Sequence, residues 1–503
     1  MILGMMFMSM FDSMVAQVAA PSIRQALGMP ETEIQLAIGG YAFSLAAFLV
    51  MGGRMGDRYG RRLIFISGIV LFTLASLGCG VAQTGIQLIL WRVLQGVGGS
   101  AMVPQCLALI GTLFPPQEKP RAVAFYAAMA GLGLVSAQLL GGGLLTLNIL
   151  GLGWRPVFIV NVPVGIVTVI CSLALLPEAK SDLPEPFDVV GLVGLAVGMG
   201  LVLVPITLGP AAGWPAWTWL SLQGGGWVLS LFFVWEARMA RLGGSPMFPI
   251  GLMKDRKILS GMLSAAGLAI VISPFVFIFT YVMQIGQHLT PFMSGLMFAP
   301  NLATFMVVAV VARKRVARHG PRILTAGILL ATVALVTASR LGVDATFIER
   351  LSPMVLFGAG TGLAMPTTVN AVVAGIHPRT AGAVTGTLGT VQQVSTAIGI
   401  AGFGSIFLDI MRTSGMGYAL QRSMLVLAMV MFGAGIASLF IPRPVRARHR
   451  LPRRSAWTRR TGPDVSGRQQ RLDRPAAPAG PGPHLAARSA SARPGRAARM
   501  AEG

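Results

Sequence analysis

Residues 53–62 read Gly-Arg-Met-Gly-Asp-Arg-Tyr-Gly-Arg-Arg, a charged decapeptide set between two runs of about twenty residues that carry almost no charge. A connection this short makes the two runs neighbouring antiparallel helices. Its four arginines fix the side of a membrane on which it lies, because short basic loops stay cytoplasmic. Such runs recur along the chain. Of its 503 residues 54% are hydrophobic and only 11% charged, and the mean hydropathy is +0.71. A soluble chain would be about 25% charged. The expectation is an all-α integral membrane protein, in which backbone groups must be satisfied inside helices.

Crossing a hydrocarbon core of about 30 Å takes about twenty apolar residues. Fourteen runs qualify, near 2–20, 34–53, 63–82, 85–114, 121–146, 156–176, 188–209, 216–235, 258–283, 291–312, 322–341, 351–375, 382–408 and 419–441. The run at 216–235 is the weakest, because Gly224-Gly225-Gly226 is a poor helix interior. An even number of crossings puts both termini on one side. Loops on the side of the decapeptide hold eighteen Lys and Arg, and the opposite loops hold six: Arg24, Arg155, Arg340, Arg350, Arg412 and Arg422. Both termini are therefore expected in the cytoplasm. Trp214, Trp217 and Trp219 fall where an outer loop should meet the headgroups.

The net charge of +23 is concentrated, since the tail from 443 to 503 holds fifteen arginines against Asp464, Asp473 and Glu502. The tail lacks apolar periodicity and reads as disordered. The remaining basic residues lie mostly in short loops, which is a topology signal and not a nucleic-acid surface. Cys79, Cys106 and Cys171 each lie within an apolar run and read as small packers, without metal or disulfide spacing. The first run starts at Ile2 without a basic leader, so no cleavable signal peptide is expected. The near absence of residues before it would follow from a start codon placed too far downstream.

A weak repeat relates the two ends of the hydrophobic region. Arg58-Tyr59-Gly60-Arg61-Arg62 follows the second run, and Arg318-His319-Gly320-Pro321-Arg322 follows the tenth. Duplicated halves with a substrate site between them are a common transporter plan. Setting aside the seventh and eighth runs leaves six and six. The expected division is a first half over 1–177, two inserted helices over 178–257, a second half over 258–442 and the tail over 443–503.

Charge inside a span costs about 2.5–3.5 kcal/mol at the bilayer centre, so each case needs a reason. Asp12 lies about 15 Å into the first helix, and Arg92 lies about 10 Å from the opposite face in the fourth. If those helices are neighbours, the two residues can meet. A buried carboxylate is pulled one way by desolvation and the other by a nearby cation, a balance that a substrate or a conformational change could tip. A static ion pair holding two helices together is the plainer reading of the same residues. Polar side chains within spans should turn toward a cavity or toward other helices. Gln17, Gln95, Gln138, Asn161, Asn370 and Gln392 are the candidates for a substrate cavity. Phe275, Phe277, Phe279 and Tyr281 could offer an adaptable apolar surface to a ligand, although lipid contact is the commoner use of such residues.

Several of these segments resemble one family. The decapeptide is similar to the G-x-x-x-D-R-x-G-R-R/K loop of the major facilitator superfamily. Phe11-Asp12-Ser13-Met14-Val15-Ala16-Gln17-Val18-Ala19-Ala20-Pro21 resembles the first-helix motif of its fourteen-span drug:proton antiporters. Arg92-Val93-Leu94-Gln95-Gly96-Val97-Gly98-Gly99 resembles the fourth-helix motif. Trp154-Arg155-Pro156-Val157-Phe158-Ile159-Val160-Asn161-Val162-Pro163 resembles the W-R-x-x-F-x-x-N-x-P entry to helix 6, and Phe187-Asp188-Val189-Val190-Gly191 the start of the first inserted helix. The resemblance covers residues 1–442. One motif departs from the pattern: where antiporters carry Gly-Pro in helix 5, this chain has Ala137-Gln138 between Gly133 and Gly141-Gly142. The proline kink is lost and a polar group is added.

The resemblance implies a major facilitator fold of six and six helices with two inserted, and export of hydrophobic or amphipathic compounds in exchange for protons. It makes Asp12 and Arg92 the proton-coupling residues. Gly53, Gly56, Asp57, Arg58, Gly60, Arg61 and Arg62 become a conformational loop that latches the halves in the outward-facing state, with Gly53 and Gly60 allowing tight packing and turning. No cofactor is expected beyond the proton as coupling ion. The expected partners are a small hydrophobic substrate, protons and the bilayer, with a periplasmic adaptor and an outer-membrane channel as further candidates and no nucleic acid. A dedicated exporter of one metabolite, a polytopic membrane enzyme and a non-transporting receptor are the rival readings. No nucleophile–base or metal constellation supports an enzyme, and no P-loop offers ATP drive.

Overall fold

With no water in the hydrocarbon core, each apolar run must close its own backbone hydrogen bonds. In a computed structural model, which describes residues 2–115, 117–178, 180, 186–248, 251, 255–373 and 378–441, every regular element is helical. The first half comprises α1 (Ile2–Leu27), α2 (Glu31–Tyr59), α3 (Arg61–Val81), α4 (Gly85–Leu113), α5 (Lys119–Leu147), the short α6 (Pro156–Ile159) and α7 (Asn161–Leu175). The inserted pair is α8 (Val189–Ala212) and α9 (Ala216–Arg241). The second half comprises α10 (Arg256–Tyr281), α11 (Pro291–Met297), α12 (Ala299–Ala338), α13 (Phe347–Val373), α14 (Pro378–Gly399), α15 (Ser405–Ser414) and α16 (Met416–Leu439). Short π-helical turns, Val282–Gly286 and Ile400–Gly404, sit within the crossings of α10 and α14.

Thirteen helical segments among the described residues are long and apolar enough to cross a membrane, against the fourteen expected. The difference is the segment at 216–235. It is helical, since α9 runs unbroken through the three glycines, but its tryptophans and polar side chains hold its hydropathy below that of the others. The basic tail expected over 443–503 lies outside the described residues.

The decapeptide is far less of a loop than expected. α2 continues through Tyr59 and α3 starts at Arg61, so the chain reverses at Gly60 alone, at φ 114° and ψ 131°. That backbone conformation favours glycine. Close packing falls at Gly52 and Gly56: a methyl there would stand 2.0 Å from Ser100 O and 2.1 Å from Gln105 Oε1. At Gly53 the nearest atom would be 3.8 Å away, so the tight contact expected of it belongs to its neighbours. The corresponding segment of the second half, 318–322, lies inside α12. α12 must double back on itself, because Asn301 and Ala331, thirty positions apart in it, both lie against Gly358–Gly360 of α13.

The inserted pair lies along the seam between the halves. Leu195, Met199 and Leu203 of α8 pack with Ala42 and Ala46 of α2 and with Ala397 and Ala401 at the end of α14. The aromatic run of α10 also lies inside the protein. Phe275, Phe277, Phe279 and Tyr281 are all at most 1% exposed, so their expected use against lipid is corrected to packing within the bundle. Phe275 stacks on Phe357 with ring centres 4.0 Å apart.

Candidate functional site

α4 supplies the cation and sets its surroundings. Arg92 and Gln95, three residues apart, share one helix face. Glycines on the adjoining faces bring the neighbouring helices in: a methyl on Gly96 would stand 2.5 Å from Tyr41 O of α2, and one on Gly98 would stand 2.6 Å from Phe72 N of α3. The glycines of the fourth-helix motif thus press two helices around its arginine.

Into this space α1 delivers Asp12, with no exposed surface, and Arg92 is 1% exposed. Arg92 Nη1 donates to Asp12 Oδ2 at 2.5 Å and to Gln95 Oε1 at 2.7 Å. Asp12 Oδ1 accepts from Gln95 Nε2 at 2.8 Å and from Asn161 Nδ2 at 2.9 Å. Gln95 Nε2 also donates to Ser76 Oγ at 2.7 Å. The guanidinium lies 4.3 Å from the Tyr41 ring centre and 5.6 Å from that of Phe158. Tyr41 OH in turn lies 3.3 Å from Ser9 Oγ. Six helices of the first half (α1–α4, α6 and α7) therefore meet at one ion pair, and three donors satisfy the carboxylate. Arg92 Nη2 is buried without a hydrogen-bond partner.

The entry to α6 is built to place two of these groups. Arg155 Nη1 donates to Gly80 O at 2.7 Å, pinning the turn against the end of α3. Phe158 and Asn161, three residues apart, then reach Arg92 and Asp12 respectively.

The structure brings together Asp12, Arg92, Gln95 and Asn161, and puts the last two on the carboxylate and not in a separate cavity wall. Gln17 lies elsewhere, donating to Ser273 Oγ of α10 at 3.0 Å. Gln138 is 3% exposed with its Oε1 unpartnered, beside the crossing where Gly295 of α11 meets Gln138 O. Asn370 is exposed on α13 and donates to Pro366 O, and Gln392 is half-buried on α14. Tyr41, Ser76 and Phe158 were not among the sequence candidates. A tyrosine, a serine and a phenylalanine in apolar runs carry no signal of their own, although Phe158 stands inside a recognised motif.

The halves join at the end far from Gly60. Gln284 Nε2 donates to Val18 O at 3.0 Å, Phe292 N to Thr146 Oγ1 at 3.0 Å, and Ser405 Oγ to Gln35 Oε1 at 2.5 Å. Glu31 at the start of α2 pairs with Arg24 at 2.6 Å and with Arg412 of α15. The decapeptide makes a different set of contacts. Arg61 pairs with Asp57 at 2.8 Å and donates to Ala108 O, while Arg62 donates to Leu173 O at 2.6 Å. Arg54 donates to Pro186 O and Pro246 O, which flank the inserted pair, and Arg58 lies 5.1 Å from the Phe187 ring centre.

Comparison with known proteins gives the same architecture. A probable actinorhodin transporter of Streptomyces coelicolor is 33% identical over 416 residues, covering 82% of this chain and 72% of that one. A multidrug resistance protein of Mycobacterium tuberculosis is 28% identical, covering 80% and 74%. Among solved structures, an auto-inhibited peptide transporter of the POT family superposes with a TM-score of 0.65 at 15% identity, over 89% of this chain and 98% of the other, a likeness of fold. Residues 2–400 match the Major Facilitator Superfamily as a whole. With its membrane-crossing helices and this match over most of its length, the chain is an integral membrane protein that belongs to the Major Facilitator Superfamily.

Proposed function

We propose that this chain is a secondary transporter, not an enzyme, that exports hydrophobic or amphipathic compounds across the bacterial inner membrane in exchange for protons. The observation that carries the reading is the buried Asp12–Arg92 pair with its three-donor shell. Protonating Asp12 would leave Arg92 a buried charge without its partner, a change that costs about 3–5 kcal/mol when a buried pair is broken. The helices around it must then rearrange, which ties proton binding to motion. Gly60 and both termini lie in the cytoplasm on this reading, supported by the basic loops on that side. The contacts from Glu31 to Arg412 then close the chain to the outside.

In the cycle, Asp12 takes a proton from outside as the compound leaves, the halves rock, and proton loss inside readmits the compound. A proton moving down about 100 mV releases about 2.3 kcal/mol. At 1.4 kcal/mol per decade, one proton supports a gradient of about 50-fold for a neutral compound. The inserted pair, α8 and α9, rides on the seam, and a periplasmic adaptor and outer-membrane channel could carry the compound onward. A dedicated exporter of one metabolite is the second reading, favoured by the relative named for actinorhodin.

Everted vesicles energised in the presence of a pH-sensitive dye test both. Addition of lipophilic compounds should trigger proton release in the parent chain and not in Asp12→Asn. Release with many compounds supports broad export, release with one supports the dedicated exporter, and silence with all of them from inserted protein overturns proton-coupled export.

A further inference from the structure

A second set of buried ionisable groups lies away from the Asp12 network, where the inserted pair begins and ends. Asp188 is the N-cap of α8 and is 3% exposed, while Glu236 of α9 has no exposed surface. One oxygen of each carboxyl accepts hydrogen bonds from the protein. Asp188 Oδ1 accepts from Gly191 N at 2.7 Å and from Trp235 Nε1 at 2.9 Å. Glu236 Oε2 accepts from Phe248 N at 2.8 Å.

The other two oxygens, Asp188 Oδ2 and Glu236 Oε1, are buried and receive no donor from the protein. They face the same small space. A methyl on Gly191 would stand 2.5 Å from Asp188 Oδ2 and 2.7 Å from Glu236 Oε1. Both oxygens thus lie within 2.7 Å of one point, with no protein group between them to donate to either. Two carboxylate oxygens are acceptors only, and a hydrogen on either would let it donate to the other. Two buried anions facing one space repel, and a single shared proton removes that repulsion, as in other paired carboxyls. Arg54 of α2 comes beside the pair, donating to Pro186 O, two residues before Asp188, and to Pro246 O, two residues before the Phe248 whose N–H holds Glu236.

We propose that Asp188 and Glu236 form a second proton-binding site, which holds one proton between their facing oxygens and reports its occupancy to α2 through Arg54. The proton enters and leaves as H+ by breaking one carboxyl O–H bond, with no other bond changed. Its departure leaves two buried anions face to face. Arg54, whose partners include Pro186 O and Pro246 O, is a cation beside them, and the change in charge alters the field in which it is held. Because Arg54 belongs to the helix that ends at Gly60, proton occupancy at the inserted pair would bias the decapeptide. Asp188 caps its helix, and Gly191 leaves room for the acid pair, which gives the Phe-Asp-x-x-Gly segment a chemical purpose.

The test is infrared spectroscopy of the full-length chain in lipid at neutral pH, comparing H2O with D2O. The readout does not depend on which compound is exported, nor on export itself. The parent should show a deuterium-sensitive carbonyl stretch of a protonated carboxyl. Glu236→Gln and Asp188→Asn should each lose that band and remain folded, because the new amide supplies the hydrogen that the proton supplied. Asp12→Asn should keep it. A parent spectrum without the band, a band that persists in both Glu236→Gln and Asp188→Asn, or a band lost in Asp12→Asn alone would overturn the proposal. Since the parent spectrum is decisive by itself, a variant that failed to insert would not rescue the idea.

Discussion

Asn161 Nδ2 donates to Asp12 Oδ1 at 2.9 Å, so the first residue of α7 completes the donor set of a carboxylate on α1. Removing one donor from a buried acceptor costs about 1–3 kcal/mol. Asn161→Ala should therefore reduce compound-triggered proton release in everted vesicles by about tenfold or more. Asn161→Asp should abolish it, because a second carboxyl would then face Asp12. Release at the parental rate in both variants would remove Asn161 from the coupling machinery.

Gly96 is set where α4 crosses α2, and a methyl there would stand 2.0 Å from Ser44 Oγ and 2.5 Å from Tyr41 O. The backbone oxygen cannot move aside without moving its helix. Gly96→Ala should cost about 1–3 kcal/mol, the usual range for overpacking, and lower the melting temperature in detergent. Gly111 on the same helix has nothing within 4 Å, so Gly111→Ala should be neutral or slightly stabilising.

At the far end, Glu31 is held by Arg24 and Arg412. Arg412→Glu would put two like charges together across the halves and favour their separation there. Ser273→Cys, buried beside Gln17, offers a reporter once the half-buried Cys171 is replaced by serine. A membrane-impermeant maleimide should label it several-fold faster in the Arg412→Glu chain. Equal rates would show that the ion pair does not hold the halves closed.

Phe275, stacked on Phe357, fills the interior of the second half. Phe275→Ala should lower stability by about 3–5 kcal/mol through the space it leaves. Trp227 is 72% exposed, and Trp227→Ala should cost about 0.5 kcal/mol or less. Thermal unfolding in one detergent measures both.

The parts legible in the sequence were those for which the membrane exacts a penalty. Asp12 and Arg92 stood out because charge in an apolar run needs a partner, and their depths along α1 and α4 already allowed them to meet. Ser76 did not stand out because a serine hydroxyl can satisfy itself on its own helix, as it does on Phe72 O, and Tyr41 did not because its ring is as apolar as its neighbours and only the tip is polar. Gln95 and Asn161 were legible as polar but not as to what they face, since rotation about a helix axis is set by neighbours. The aromatics of α10 were misjudged for a similar reason: a helix packed on all sides is apolar all round, as is one in lipid. The reversal at Gly60 was overestimated in length because charge density hides helix ends.

A joint of one residue has no slack. α2 has 29 residues and is therefore about 43 Å long, and it meets α3 through the two dihedrals of Gly60. A swing of about 10° at that joint displaces the far end of the rod by about 7 Å, roughly the reach of a long side chain. The far end is Glu31. Leverage alone thus converts a small rotation beside Gly60 into the opening or closing of an ion pair on the opposite face.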